Sequence, residues 1–319
     1  LFDPGNFLSN TIRVARNMEN TNFAMTFSNR TEDGVIDGLR GFGRRTMRLA
    51  VDHKFRRDLT ISATGFFSNT DRDDIATGVG APFFGLTFAS RDSDPSRLHL
   101  DQPGVLTVEY PNGMPEDVAG ELFIRPDPLS ERTNPLYDPQ NLFREDATNR
   151  VMGGLAMNYQ PANWFKIESS LSYDRSNRER NRFWRIGFES LFNTEIPTGQ
   201  IIKFPAFDEA LNGNVTASLS KAFLNNELTL RLKTRALFER TEFQDTFVQG
   251  NDLAVRGVRV LDIAASQSLS VASEIQQVRS EGYFLTGSFD YKDKYIGDFL
   301  VRRDGSSLFG PDQRWQTYY

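Results

Sequence analysis

Two histidines, His53 and His99, are the only imidazoles available for proton transfer or zinc binding, and they lie far apart in the chain. Neither belongs to an H-x-x-H or H-E-x-x-H pair, the spacing that brings two imidazoles onto one metal. Cysteine is absent, which removes thiolate nucleophiles, thiolate metal sites and disulfides. Asp71, Asp73 and Asp74, and later Asp92 and Asp94, are clustered oxygen donors of the kind that bind calcium. No Glu closes such a loop at its twelfth position, so they read as solvated loop charge. Asp304-Gly305-Ser306-Ser307 offers serine hydroxyls, but without a G-x-S-x-G context or the histidine that a triad needs. It reads as a turn, in which Asp-Gly accepts positive φ and the serines bond to backbone groups. Carboxylates are abundant, yet a glycosidase pair is defined by separation in space, which spacing in sequence does not give. Among the loop aromatics, Phe183, Trp184, Tyr110 and Phe83-Phe84 are the candidates for contact with a ligand or partner. The chemistry points away from an enzyme, and toward no cofactor and no metal.

The segments around these residues repeat with period two. Tyr283, Leu285, Gly287, Phe289 and Tyr291 share one face, and Thr286, Ser288 and Asp290 the other. After Lys292-Asp293, Tyr295, Gly297, Phe299 and Val301 share a face again, so the two runs form an antiparallel hairpin. The same unit recurs four times upstream: Ile12–Arg16 with Phe23–Phe27, Met47–Val51 with Leu59–Phe67, Val151–Tyr159 with Phe165–Tyr173, and Val215–Leu219 with Leu228–Phe238. Residues 1–9 and 30–43 read as loops. A stretch of roughly eighty residues from Asn69 to Asn149 follows the second unit, with small strands expected at Val105–Tyr110 and Glu121–Arg125. Loops of about forty residues separate the later units, a length that marks functional loops rather than ordinary connections.

Short turn, long loop, five times over, is the pattern of an all-β, antiparallel up-and-down transmembrane β-barrel, with short periplasmic turns and long extracellular loops. About eleven strands obey it. Runs of nine to eleven residues are long enough to cross a bilayer when tilted. A hydrophobic fraction of 39% and a mean hydropathy of −0.47 are compatible with this, because lipid-facing and lumen-facing side chains alternate. No run of eighteen apolar residues exists to form a membrane helix. A net charge of −5 with no basic, aromatic-interleaved patch argues against a nucleic-acid partner. Aromatics gather beside the short turns, at Phe55, Tyr159, Trp164, Phe165, Phe223, Tyr291 and Tyr295, as an interfacial girdle would. Arg231, Lys233 and Arg235 alternate with leucines, which suits an inner face turned to a hydrated lumen or to a plug packed there.

Several motifs resemble the SusC/RagA-like TonB-dependent outer-membrane transporters. The most specific is the run Arg302, Asp304, Gly305, Ser306, Ser307, Phe309 and Gly310, followed by Arg314-Trp315. Asn134-Pro135-Leu136-Tyr137 with Asn149-Arg150, Tyr159-Gln160-Pro161 with Trp164 and Tyr173-Asp174, and Gly34-Val35-Ile36 with Arg44–Arg48 extend the likeness over nearly the whole chain. The resemblance implies a larger barrel of 22 strands, of which residues 1–319 are the early half, with an N-terminal plug and further C-terminal strands lying outside them. It implies location in the bacterial outer membrane among its lipids, energy from a TonB–ExbBD complex, a SusD-like surface lipoprotein and a small nutrient as cargo, usually an oligosaccharide and sometimes a peptide. The alternatives are a siderophore or vitamin receptor of the same architecture, and a soluble extracellular β-rich carbohydrate-binding protein or glycosidase.

Overall fold

The computed structural model describes residues 4–36, 39–73, 87, 134, 136–188 and 198–319. The expected small strands at 105–110 and 121–125, together with His99, Asp74, Asp92, Asp94, Phe83-Phe84 and Tyr110, lie outside the described residues.

Eleven strands form one antiparallel sheet in which every neighbour in sequence is a neighbour in space. They are β1 (Phe7–Asn17), β2 (Thr21–Glu32), β3 (Phe42–Arg56), β4 (Leu59–Asp73), β5 (Leu142–Ala162), β6 (Phe165–Trp184), β7 (Gln200–Phe223), β8 (Leu228–Asn251), β9 (Ser270–Tyr291), β10 (Tyr295–Ser306) and β11 (Trp315–Tyr318). Tight turns close β1–β2, β3–β4, β5–β6, β7–β8 and β9–β10 at one end of the sheet. The other connections lie at the opposite end. Where the chain reverses after β9, Lys292 and Asp293 adopt the left-handed conformation at φ 59° and 52°, and Asn225 and Asn226 do the same after β7. Asparagine and aspartate tolerate that region better than other non-glycine residues.

The up-and-down order and every expected hairpin are present, but the strands are longer at the loop end than period two alone suggested. β1 begins inside the stretch read as a loop, at Phe7. The loop segments after Asp174 and Phe238 are largely strand: β6 continues to Trp184 and β8 to Asn251. Asp304, Gly305 and Ser306 belong to β10 rather than to the loop after it. The reason is local: past the apolar stretch polar residues enter both faces, so the alternation that marks a strand disappears while the ladder of backbone hydrogen bonds continues. At 24 residues, β7 has a length on the order of 80 Å, far more than a membrane layer requires.

Two small hydrophobic clusters cover the loop end. Leu136, Tyr137, Leu142 and Phe188 pack together against Trp184; Phe183, Ile201 and Leu253 pack with Phe143 and Leu261. Elsewhere the sheet buries little, and Phe299 (51% exposed), Leu232 (37%) and Phe289 (46%) stand open on one face. None of the described helices is long and apolar enough to cross a membrane.

Candidate functional site

The two faces of the sheet differ in chemistry, and the register fixes which residue lies on which. One face carries a band of apolar side chains. A hydrogen-bonded row across it reads Ile12, Phe27, Met47, Phe67, Val151, and then turns polar at Arg175, Glu209 and Glu242. The row one step nearer the tight turns stays apolar through Tyr173 and Leu211 before reaching Arg240 and Arg279. Immediately beyond the band on the loop side lies a row of carboxamides at Asn10, Asn29, Asn69, Asn149 and Asn177, interrupted by Arg45. Asn69 donates to Asn149 across the strands at 2.8 Å. The turn side of the band ends in rings: Tyr291 stacks on Tyr295 at 6.4 Å and His53 meets Phe55 edge-on at 4.3 Å. Cations lie over them, Arg56 over Tyr159 and Lys221 over both Trp164 and Phe223. Between the two borders β5 runs from Val151 to Tyr159 and β9 from Tyr283 to Tyr291, each the ~9–11 residues that a tilted strand needs to span a hydrocarbon layer.

Glycines on this face are packed by aromatics from the next strand. Phe299 lies over Gly287, Phe289 over Gly297, Phe238 over Gly213 and Trp315 over Gly305. A Cβ on Gly213 would come within 2.1 Å of the Phe238 ring. Such pairs close the gap that a bare glycine leaves on a sheet.

The opposite face is polar and ionic. Arg231, Lys233 and Arg235 are on it, as the alternation with leucine required. Higher up, Arg150 grips Asp174 with two hydrogen bonds, one of 2.9 Å from Nε. Asp146, almost fully buried, accepts from Arg72 at 2.8 Å and from Arg178 Nε at 2.9 Å, so that one carboxylate ties β4, β5 and β6 together. Those guanidinium hydrogen bonds, Arg178 first, outweigh the cost of burial and hold its pKa down to about 2. Below this ion cluster the polar face opens into a cavity of about 880 Å³ whose floor is small, at Ala24, Ala50, Thr64 and Gly154.

The signature residues prove to be structural parts of the wall. Arg302 pairs with Asp304 and lies 4.7 Å over the Phe284 ring. Gly305 leaves room for Trp315, which also stacks on Tyr283. Ser307 accepts from the Arg279 backbone N–H at 2.9 Å, Ser306 accepts from the Leu308 N–H, and Arg314 Nε donates to the Phe309 carbonyl at 3.3 Å, closing the loop through Gly310. The Asn134 carboxamide accepts from the Leu136 N–H at 3.0 Å and holds the short helix α1 (Tyr137–Asn141) over the first hydrophobic cluster, where Tyr137 is 1% exposed. Phe183 is 5% exposed, its ring covered by Ile201 and Leu253, and Trp184 packs on the neighbouring cluster. Sequence reasoning missed the Asp146 cluster and the small-floored cavity. Both arise from cross-strand neighbours distant in sequence. Among the described residues no group of three metal-ligating side chains converges.

No family model matches the chain. Over 200 residues it is 23% identical to TonB-dependent receptor P26 of Formosa agariphila, a match covering 58% of this chain and 19% of that protein. Its fold is similar to that of the RagAB peptide transporter, with a TM-score of 0.70 at 13% identity over 98% of this chain and 33% of that one. It is also similar, at a TM-score of 0.51 and 11% identity, to the ferric-catecholate import receptor Fiu of E. coli K12, covering 95% of this chain and 43% of that one. The expected resemblance to SusC/RagA-like TonB-dependent transporters is met by a TonB-dependent receptor in sequence and by RagAB in fold. The chain spans about a fifth of the length of the curated relative and a third of RagAB.

Proposed function

We propose that this chain forms part of the wall of an outer-membrane TonB-dependent importer of the SusC-like class. The apolar band faces lipid, the ionic face lines the lumen, the long connections are extracellular and the tight turns periplasmic. Residues 1–319 are one contiguous part of a larger barrel, which a plug and further strands complete. TonB–ExbBD energises the complete protein, and a SusD-like lipoprotein covers its outer mouth. It imports a nutrient oligosaccharide or peptide by binding and translocation, without catalysis.

The observation that carries this reading is the band of about nine residues, bordered by carboxamides on one side and rings on the other, with charges confined to the opposite face. A solvated sheet has no reason to keep one face free of charge over that depth and no further. The greater similarity to RagAB than to Fiu favours the SusC-like reading over a siderophore receptor. The test is growth of a strain lacking the full-length gene on single oligosaccharides and peptides as carbon source. Loss of growth on one class, reproduced by removing ExbBD or the neighbouring lipoprotein, supports the reading. Growth on every nutrient without the gene, or uptake indifferent to ExbBD, rejects it.

A further inference from the structure

We infer that the polar face carries a binding site for the anionic groups of an oligomeric solute, formed by Arg13, Arg44 and Arg48 beside the cavity between β1 and β7. The inference rests on the importer reading and narrows its cargo to solutes bearing carboxylate, sulfate or phosphate groups.

The three arginines border a cavity of about 880 Å³ over its small-residue floor. Arg13 and Arg48 lie in one hydrogen-bonded row, with Thr26 between them, so their strands are about 10 Å apart. Arg44 is two face-repeats from Arg48 along β3, beyond Thr46, and its direct cross-strand partner is Arg30. Like charges set opposite each other in a sheet cost stability, unless a counter-charge reaches them. Arg30 has one, in Glu32. Among the described residues no carboxylate forms an ion pair with Arg13, Arg44 or Arg48, although acids elsewhere on this face are paired: Asp146 with Arg72 and Arg178, Asp174 with Arg150. Arg48 is steered by the Phe66 ring, 5.2 Å from its guanidinium carbon, which orients a planar donor without neutralising it.

The charge is also distributed. Across the three rows from Arg44 to Arg48, β7, β8 and β9 present Asp208, Asp245 and Glu274 on the same face and no base. At the level of these rows an anion in the lumen is therefore drawn to the β1–β5 side and repelled from the β7–β9 side. Guanidinium forks bind planar oxyanions with two hydrogen bonds, and the small floor leaves room for a sugar ring or a peptide side chain under them.

The test uses the full-length protein with three probes of matched length: a neutral oligosaccharide, a uronic acid oligosaccharide and a glutamate-rich peptide. Uptake is measured in cells, and binding to the purified protein by calorimetry, for the wild type and for a variant combining Arg13→Gln, Arg44→Gln and Arg48→Gln. Outer-membrane abundance and resistance to heat-induced unfolding in detergent show that the variant folds. Should it not, the single substitutions Arg44→Gln and Arg44→Lys take its place. The expected result is binding of at least one anionic probe, weakened by salt and reduced about tenfold for each arginine removed. Neutral-probe behaviour is unchanged, and Arg44→Lys retains part of the binding. Equal binding of anionic probes by wild type and variant overturns the inference, as does parallel loss for neutral and anionic probes. Calorimetric binding that persists while uptake is absent or indifferent to ExbBD sinks the importer reading and leaves the anion site standing.

Discussion

Leu232 lies near the middle of the apolar band on β8, between the leucines next to the tight turn and Phe238 at the far border. Its cross-strand neighbours are Leu219 and Gly287, and it is 37% exposed on a face that the importer reading assigns to lipid. Its chain neighbours Arg231 and Lys233 are already charged, on the other face. Leu232→Arg therefore adds nothing foreign to the local composition; it only moves a charge from lumen to hydrocarbon. The cost at the midplane of a membrane barrel is about 2–4 kcal/mol, a large part of a typical stability of about 5–15 kcal/mol. Ser288→Arg puts the same side chain on the polar face, opposite Arg231 on one side and Asp298 on the other. One neighbour repels and the other attracts, so the net effect stays below about 1 kcal/mol. The assay is urea-dependent folding of the full-length protein into lipid vesicles, read by tryptophan fluorescence and by heat-modifiable migration. Equal losses for the two variants, or a larger one for Ser288→Arg, would refute the assignment of faces.

Other consequences follow from the same geometry. Gly213→Val drives a methyl-bearing carbon into the Phe238 ring and should cost about 1–3 kcal/mol; adding Phe238→Ala should return part of it, giving a measurable coupling in a double-mutant cycle. Asp146, with a folded-state pKa near 2 against an ordinary 3.8, contributes stability above its unfolded pKa that is lost as pH falls through the folded one. The contribution is on the order of 2 kcal/mol. Hydrogen exchange at β4–β6 should accelerate between about pH 4 and pH 2 in the wild type, and Asp146→Asn should be loose throughout and insensitive to that window. Because the chain has no cysteine, single cysteines report orientation cleanly. One at Asn69 should react with an impermeant maleimide on intact cells, and one at Lys292 only after the outer membrane is breached. The reverse pattern would invert the topology.

How much of this was legible in the sequence depended on distance along the chain. Period two is a property of adjacent residues, so the hairpins Tyr283–Val301 and Val151–Tyr173 could be read directly, with the correct face for Phe289 and for Lys233. The upper halves of β6 and β8 could not. Arg175 to Arg182 are polar on both parities, and Arg240 to Gln249 mix Phe243, Phe247 and Val248 with polar residues on both, so neither has a pattern to separate it from loop. Function-bearing contacts were further from reach. Asp146 gathers Arg72 and Arg178 from strands separated by the long connection between β4 and β5, and the opposition of Arg30 and Arg44 exists only through register. The signature run Arg302–Gly310 was recognisable as a string, while its physical content is that Gly305 makes room for Trp315 and Ser307 closes on Arg279.

The band's far border is oblique to the hydrogen-bonded rows, and its slope tests the membrane reading without any appeal to resemblance. On β1 the last apolar residue before the polar zone is Ile12; on β10 it is Val301. Tracing the register between them, Val301 lies in a row four steps nearer the tight turns than the row of Ile12, about eight residues along a strand. That is a fall of about 26 Å across roughly 43 Å of sheet, or a tilt of about 31° between the rows and the border. A planar hydrocarbon boundary crossing strands that lean by about 35–45° produces a slope of this kind. A soluble sheet covered by a second layer has its apolar patch shaped by that layer, and nothing ties the patch's border to strand tilt. The slope supports the membrane-spanning reading from register and side-chain polarity alone. A set of lipid-phase spin labels along Asn10, Ile12, Val301 and Arg303 would measure it: equal depths for Ile12 and Val301 are required, and a difference near 26 Å would mean that the border is not a membrane plane.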